Sequence, residues 1–376
     1  MKYASFFLAI AFTIFFTSCN QNEKNDEAKS EISISIDSVM VNSKGEIIDT
    51  KYGLNFYGFD QEKKFMYKFN NNNRHGLEVI DMNKLELVDF IPFEVEGPNG
   101  TTTRVSDINY VSDDEIIITN SQAILIFNKN AELQHKYSIY GNEFIGDSIP
   151  KDLQMESSGL YIPEKDISFN LINEGFGYVR GFSKLDLYEN TRQPYWVDEL
   201  KKLDDYHISL SLDGKMIMLR TFLYTTFQDD KFILSHDMEN EVYYYNLKSD
   251  SIVHKKYKSQ LSPNKNEVYG KIEAESREEL GKIMSARNKS IRFGNFVFDE
   301  KQNQFYRFSS YSTSTEEKEE KWKIILTIFD EELNQINETD KLELKEVPKT
   351  YFVKDGKIYI YKNMEDELGF LVLSMS

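Results

Sequence analysis

The sequence predicts an all-β fold: a six-bladed β-propeller closed by its N-terminal strand, with one helix inserted between blades four and five. Three observations lead there. From Glu31 onward, short strands rich in Ile, Val, Phe and Tyr alternate with Asp, Asn, Gly and Lys turns at intervals of roughly ten residues. A four-stranded unit then recurs at about 40 to 50 residues, the period of propeller blades. The last unit holds three strands, and a lone strand near the N-terminus is free to supply its fourth.

In chain order, the first element is a signal. Lys2 precedes the apolar run Tyr3 to Phe16, and small residues lead to the only cysteine in Phe16-Thr17-Ser18-Cys19. This resembles a bacterial lipoprotein signal, which implies cleavage before Cys19 and lipidation of that residue. Residues 1–18 are then the signal peptide, 19–30 a tether and 31–376 a single propeller domain. Asn20 to Ser30 is polar and free of aromatics, so it cannot bury enough apolar surface to offset its ordering entropy.

The strand Ile32 to Val39 alternates Ile32, Ile34 and Ile36 with Ser33, Ser35 and Asp37, so one face needs burial and no hairpin partner stands nearby. Pairing it with the last unit closes the ring and removes a free edge. Blade one is read over Tyr52 to Pro92 and blade two over Val105 to Ser138, the clearest meander. Leu153 to Leu212 reads as a blade with a long insertion around Phe176 to Trp196. Arg220 to Tyr257 gives the fourth blade and Ile291 to Leu344 the fifth. Tyr351 to Leu373, turning at Asp355-Gly356, gives the three strands of the sixth. Between blades four and five, Ser276 with Glu279 forms a capping box before Leu280, Ile283 and Met284 on one helical face. Ser309 to Lys321 reads as a solvated loop.

Charge and composition narrow the function. The chain carries 45 basic and 62 acidic residues; without Lys2 the balance is 44 against 62, a net charge of −18. Nucleic acid and anionic lipid surfaces need concentrated positive charge, so neither is an expected partner apart from the membrane reached through the anchor. With Cys19 acylated, disulfides, Cys-ligated metals and cysteine nucleophiles drop out. No HExxH, G-x-S-x-G, Walker A or dinucleotide fingerprint is present, and His75, His135, His207, His236 and His254 are scattered through turns and strands. No metal site, no cofactor and no catalytic residue is therefore assigned. Asp113-Asp114 and Asp229-Asp230 sit where hairpin turns favour Asp for backbone reasons.

Three arginines share a more specific placement. Arg104, Arg220 and Arg292 all stand at the start of the innermost strand of their blades, beside the mouth of the central channel. Converging guanidinium groups there would hold a carboxylate, sulfate or phosphate bidentately. The alternative is that each pairs with an acid of a neighbouring blade. The turn Glu96-Gly97-Pro98-Asn99-Gly100 precedes Arg104 on the same face, which makes Asn99 a fourth candidate.

Taken together, Thr17-Ser18-Cys19, the Glu96 to Gly100 loop before the second blade, and strand ends such as Phe329-Asp330-Glu331-Glu332-Leu333 and Val353-Lys354-Asp355-Gly356-Lys357-Ile358-Tyr359 carry a resemblance. The chain resembles Bacteroidota lipoproteins of the six-bladed β-propeller-like, domain-of-unknown-function (DUF 4221) type. The resemblance implies a propeller fold and a cell-envelope location, with the chain as an outer membrane lipoprotein on the periplasmic or the cell-surface face. It brings no activity and no catalytic residues to transfer. The leading expectation is a lipid-anchored binding or scaffold module, without catalysis, for a protein or an anionic or glycan ligand at the channel mouth. The competing expectation is a carbohydrate-active enzyme, hydrolase or lyase, working in the same funnel.

Overall fold

Six sheets, antiparallel except for a two-residue parallel pair at the edge of the third (Ile145–Gly146 beside Thr191–Arg192), follow one another along the chain, each running from the inside of the ring outward. The computed structural model describes residues 33–375 except 73, 113, 140–143, 176, 213–214, 268–271 and 315–320. The segments expected as signal peptide and tether, with Cys19, lie outside the described residues. Blade 1 is built from Tyr57–Phe59, Phe65–Asn70, Gly76–Asp81 and Glu86–Pro92, and blade 2 from Val105–Val111, Glu115–Asn120, Ala123–Asn128 and Leu133–Ser138. Blade 4 comprises Leu223–Gln228, Lys231–His236, Glu241–Asn246 and Ser251–Lys256. In blade 5 the inner position is shared by Arg292–Phe293 and Val297–Asp299, both paired to Gln304–Ser312, followed by Trp322–Asp330 and Gln335–Thr339.

Ring closure comes from the N-terminal strand. Ile34–Met40 pairs antiparallel with Glu367–Met375, from Ile34 opposite Met375 to Met40 opposite Gly369. It is the outermost strand of blade 6, outside Tyr351–Lys354, Lys357–Met364 and Glu367–Met375. The alternation seen in the sequence explains the fit, because Ile34 and Ile36 pack on the blade 5–blade 6 core while Ser35 and Asp37 face solvent. Tight turns join the strands: Asp229 and Asp230 both take positive φ, at 49° and 59°, as do Asp355 and Gly356, at 54° and 75°. These are the backbone angles that a two-residue hairpin needs.

The core is a ring of six apolar seams. One cluster lies at each blade–blade junction, and the sixth, Met66 and Ile80 against Phe352 and Phe370, joins the last blade to the first. Middle strands such as Glu115–Asn120 bury side chains toward both neighbours, with Ile116 and Ile118 in one seam and Ile117 in the next, which is why the sequence reads there as a continuous apolar run.

Two sequence expectations need correction. The third blade is Leu153–Ile162, Ile167–Glu174, Tyr178–Asp186 and Thr191–Trp196, so the segment taken as an insertion supplies its two outer strands. Gly181 and Pro194 disguised them. A Cβ at Gly181 would stand 2.0 Å from the Tyr195 carbonyl, so the close strand pairing requires glycine there, and Pro194 lies past Thr191 and Arg192, the two residues of its strand that pair with the short edge segment Ile145–Gly146, where a missing N–H is tolerated. Ile208–Leu212 leaves the blade and forms a side sheet with Lys215–Leu219 and Ile272–Ala274. The second correction concerns Ser309 to Ser312, read as loop. They continue the strand Gln304–Ser312, with Ser309 and Ser310 buried.

Candidate functional site

Blade 4 is flanked by the two longest connections in the ring, and these build the site. The chain before it forms a 3-10 helix over Asp198–Tyr206 and the hairpin Ile208–Leu219; the chain after it returns as Ile272–Ala274, parallel to Ile208–Leu210, and helix α1, Arg277–Lys289. Helix α1 starts where the sequence marks it. The Ser276 hydroxyl accepts from the Glu279 N–H at 3.1 Å, and the Glu279 carboxylate accepts from the Glu275 N–H at 2.8 Å. Leu280, Ile283 and Met284 then pack on Ile208, Leu219 and Ala274.

Where the inner strands of blades 3, 4 and 5 begin, the side sheet and α1 enclose a cleft of about 630 Å³. Val179, Met218, Leu219, Phe222, Leu223 and Met284 give it apolar walls, and Glu156, Arg220, Arg287, Asn288 and Arg292 give it polar groups. That volume falls in the range of small-molecule sites.

Each arginine has a different duty. Arg287 is buried in α1 and donates to the Leu219 carbonyl at 3.3 Å and the Arg220 carbonyl at 2.7 Å, which pins the backbone of the cleft rim. Arg292 pairs with buried Asp237, which also accepts the Phe222 N–H at 3.0 Å. Burial pushes the Asp237 carboxyl up, and the Arg292 guanidinium opposes that shift. Arg292 therefore takes the cross-blade ion pair that sequence reasoning held as the alternative. Arg220 is exposed and has no carboxylate within ion-pair distance among the described residues. Its guanidinium lies over Gly177, whose φ is +103°, and a Cβ there would stand 2.4 Å from Arg220 Nη1. Glycine at 177 is needed both for the turn and for the close approach.

Buried His207 reports the local field. Burial lowers its pKa to about 4; Asp204 opposes this, while Arg287, Arg220 and Arg180 lower it further. The ring packs against Tyr178 with centroids 4.6 Å apart, and its Nδ1 has no partner among the described residues.

The structure does not bring the other two candidates into the cleft's described lining. Arg104 is exposed on the loop before blade 2 and makes no described ion pair. Asn99 is occupied elsewhere, since its Oδ1 accepts from the Leu133 N–H at 3.1 Å, at the start of the outermost strand of blade 2. Its loop is held by Thr101 N–H to the Glu94 carbonyl at 2.9 Å and Thr102 N–H to the Val95 carbonyl at 3.0 Å, so it acts as a structural brace.

Sequence reasoning missed Arg287 and Glu156. Arg287 follows Met284 by three residues and Ile283 by four, so the helical face already identified leads to it. Glu156 stands on the inner strand of blade 3, whose limits the sequence obscured. One further acid is poised away from the cleft. Asp107, on the inner strand of blade 2, has its carboxyl pushed up to about 7 by burial, against a hydrogen bond from the Ile108 N–H at 2.9 Å. Such a group suits proton transfer, yet it is not among the residues lining the cleft. No group of three or more His, Cys, Asp or Glu side chains suited to a metal occurs among the described residues. No described helix is long and apolar enough to cross a membrane.

One family and several solved structures are similar to this chain. A family model described as "Domain of unknown function (DUF4221)" matches residues 29–340. The crystal structure of a DUF4221 member from Bacteroides vulgatus superposes with a TM-score of 0.64 at 13% identity, covering 93% of this chain and 99% of that one. The extracellular domain of a putative one-component system from B. thetaiotaomicron gives a TM-score of 0.46 at 11% identity, over 88% of this chain and 35% of that one. A protein of unknown function from Bacteroides thetaiotaomicron gives 0.44 at 10% identity, over 91% and 77%. A search of curated proteins gave no match.

Proposed function

The chain belongs to the DUF4221 family, and from that premise we propose that it is a lipid-anchored cell-envelope propeller that binds, without catalysis, an apolar ligand bearing a carboxylate. The observation that carries the reading is Arg220. It is the exposed cation of the cleft, held by a backbone that Arg287 fixes and left without an acid partner among the described residues. A guanidinium so placed recognises a carboxylate in bidentate fashion, and the Met218, Leu219, Phe222 and Met284 walls take an apolar body. The lipid anchor at Cys19 completes the reading by tying the module to the envelope.

A carbohydrate-active role finds less support, because Glu156 is the one carboxylate among the described lining residues, whereas glycoside hydrolysis generally uses two. The test is equilibrium titration with 3-phenylpropionate and its neutral amide. The acid binds the wild type at least tenfold more tightly than the amide, and Arg220→Met abolishes that preference with the melting temperature unchanged. Equal binding by Arg220→Met, or release of reducing ends from polysaccharides by the wild type, contradicts the proposal.

A further inference from the structure

The cleft holds one charge that a simple acid site does not use. Glu156 lines it on the blade 3 side, and Asn173 Nδ2 donates to Glu156 Oε1, fixing the carboxylate. Glu156 Oε2 has no partner among the described residues. Asn173 is itself buried, and its Oδ1 is also left without a partner. An anchored carboxylate held by this buried amide puts negative charge on the wall of a cleft whose exposed cation is Arg220. The two side chains do not pair with each other: no salt bridge within 4.0 Å joins Glu156 to Arg220. Neither charge is therefore neutralised by the other, and both line the same cleft.

We infer that the cleft selects a zwitterion, an α-amino acid or short peptide with an apolar side chain, its carboxylate on Arg220 and its ammonium on Glu156. This rests on the carboxylate reading of Arg220 and adds the second charge. Charge of both signs inside one partly enclosed site discriminates strongly, because a ligand lacking one group leaves a protein charge desolvated and unpaired. The apolar walls, Met218, Phe222 and Met284, set the preference for side chain.

The experiment is calorimetric titration of the soluble domain with four probes: L-phenylalanine, the dipeptide phenylalanyl-alanine, 3-phenylpropionate, which lacks the ammonium, and phenylalanine amide, whose carboxylate is replaced. Each is measured on the wild type, on Glu156→Gln, which keeps an acceptor for Asn173, and on Arg220→Met. The expected result is a loss of tenfold or more when the ammonium is removed, and disappearance of that difference in Glu156→Gln. Whichever of phenylalanine and the dipeptide binds more tightly identifies free amino acid or peptide as the source. If 3-phenylpropionate binds the wild type as tightly as phenylalanine, the zwitterion is overturned while the carboxylate site stands. If none of the four binds, both are overturned.

Discussion

Replacing His207 with phenylalanine should flatten the pH dependence of folding between pH 7.5 and 5. In the fold His207 takes a proton only below about 4, whereas the ordinary imidazole does so near 6.5. Between those values the unfolded chain binds a proton that the folded chain refuses, so stability falls as pH falls. The contribution is complete above 6.5 and is lost as pH drops toward the folded value. At pH 5 the loss is about 2 kcal/mol, from 1.36 kcal/mol per unit over the interval from 6.5 to 5 less the small fraction protonated in the fold. His207→Phe keeps an aromatic ring against Tyr178 and removes the proton. Urea unfolding at pH 7.5 and 5.0 should show the wild type losing about 2 kcal/mol more than the variant, all other titrating groups being common to both. Parallel losses would refute the argument. The same ring reads the cleft: Arg220→Met, or an anion bound to Arg220, raises the His207 pKa, which NMR of the five imidazoles follows.

The other predictions separate structural from binding groups. Arg292→Met leaves Asp237 buried and unpaired and should cost about 3–5 kcal/mol by urea unfolding, whereas exposed Arg220→Met should stay within about 0.5 kcal/mol. Equal losses would mean that Arg220 also has a structural role. Gly177→Ala imposes a Cβ at φ +103° against the Arg220 guanidinium, so it should lower stability by about 1–3 kcal/mol and weaken 3-phenylpropionate binding as well; unchanged binding would show that Arg220 does not need this turn. Deleting residues 34–40 exposes the edge Glu367–Met375, and the truncated chain should lose cooperative unfolding or self-associate on size-exclusion chromatography. A cooperative monomer would show that the closing strand is dispensable.

Much of this fold is legible because the physics is local. Alternation at Ile34 and Ile36, the paired Asp turns at 229–230 and the Ser276–Glu279 box each declare their geometry within a few residues. Blade 3 is not legible in this way, since Gly181 and Pro194 read as breaks and become strand positions only when Tyr195 and the outer edge are in place. The site divides similarly. Arg220 and Arg292 are placed by their position before inner strands, but their different duties depend on Asp237, which stands 55 residues from Arg292. Glu156 and Asn173 meet through a pairing between strands. Nothing in either segment alone announces it. Arg104 shares its position before an inner strand with the other two and still falls outside the cleft lining, because the long connections that build the cleft flank blade 4, not blade 2.

The most direct test is a crystal structure of the protein purified from its native envelope, with co-purified ligand retained. Density in the cleft should place a carboxylate within hydrogen-bond distance of the Arg220 guanidinium, with an apolar body against Met218 and Phe222. Ligand density elsewhere in the ring, with solvent alone at Arg220, would contradict the account.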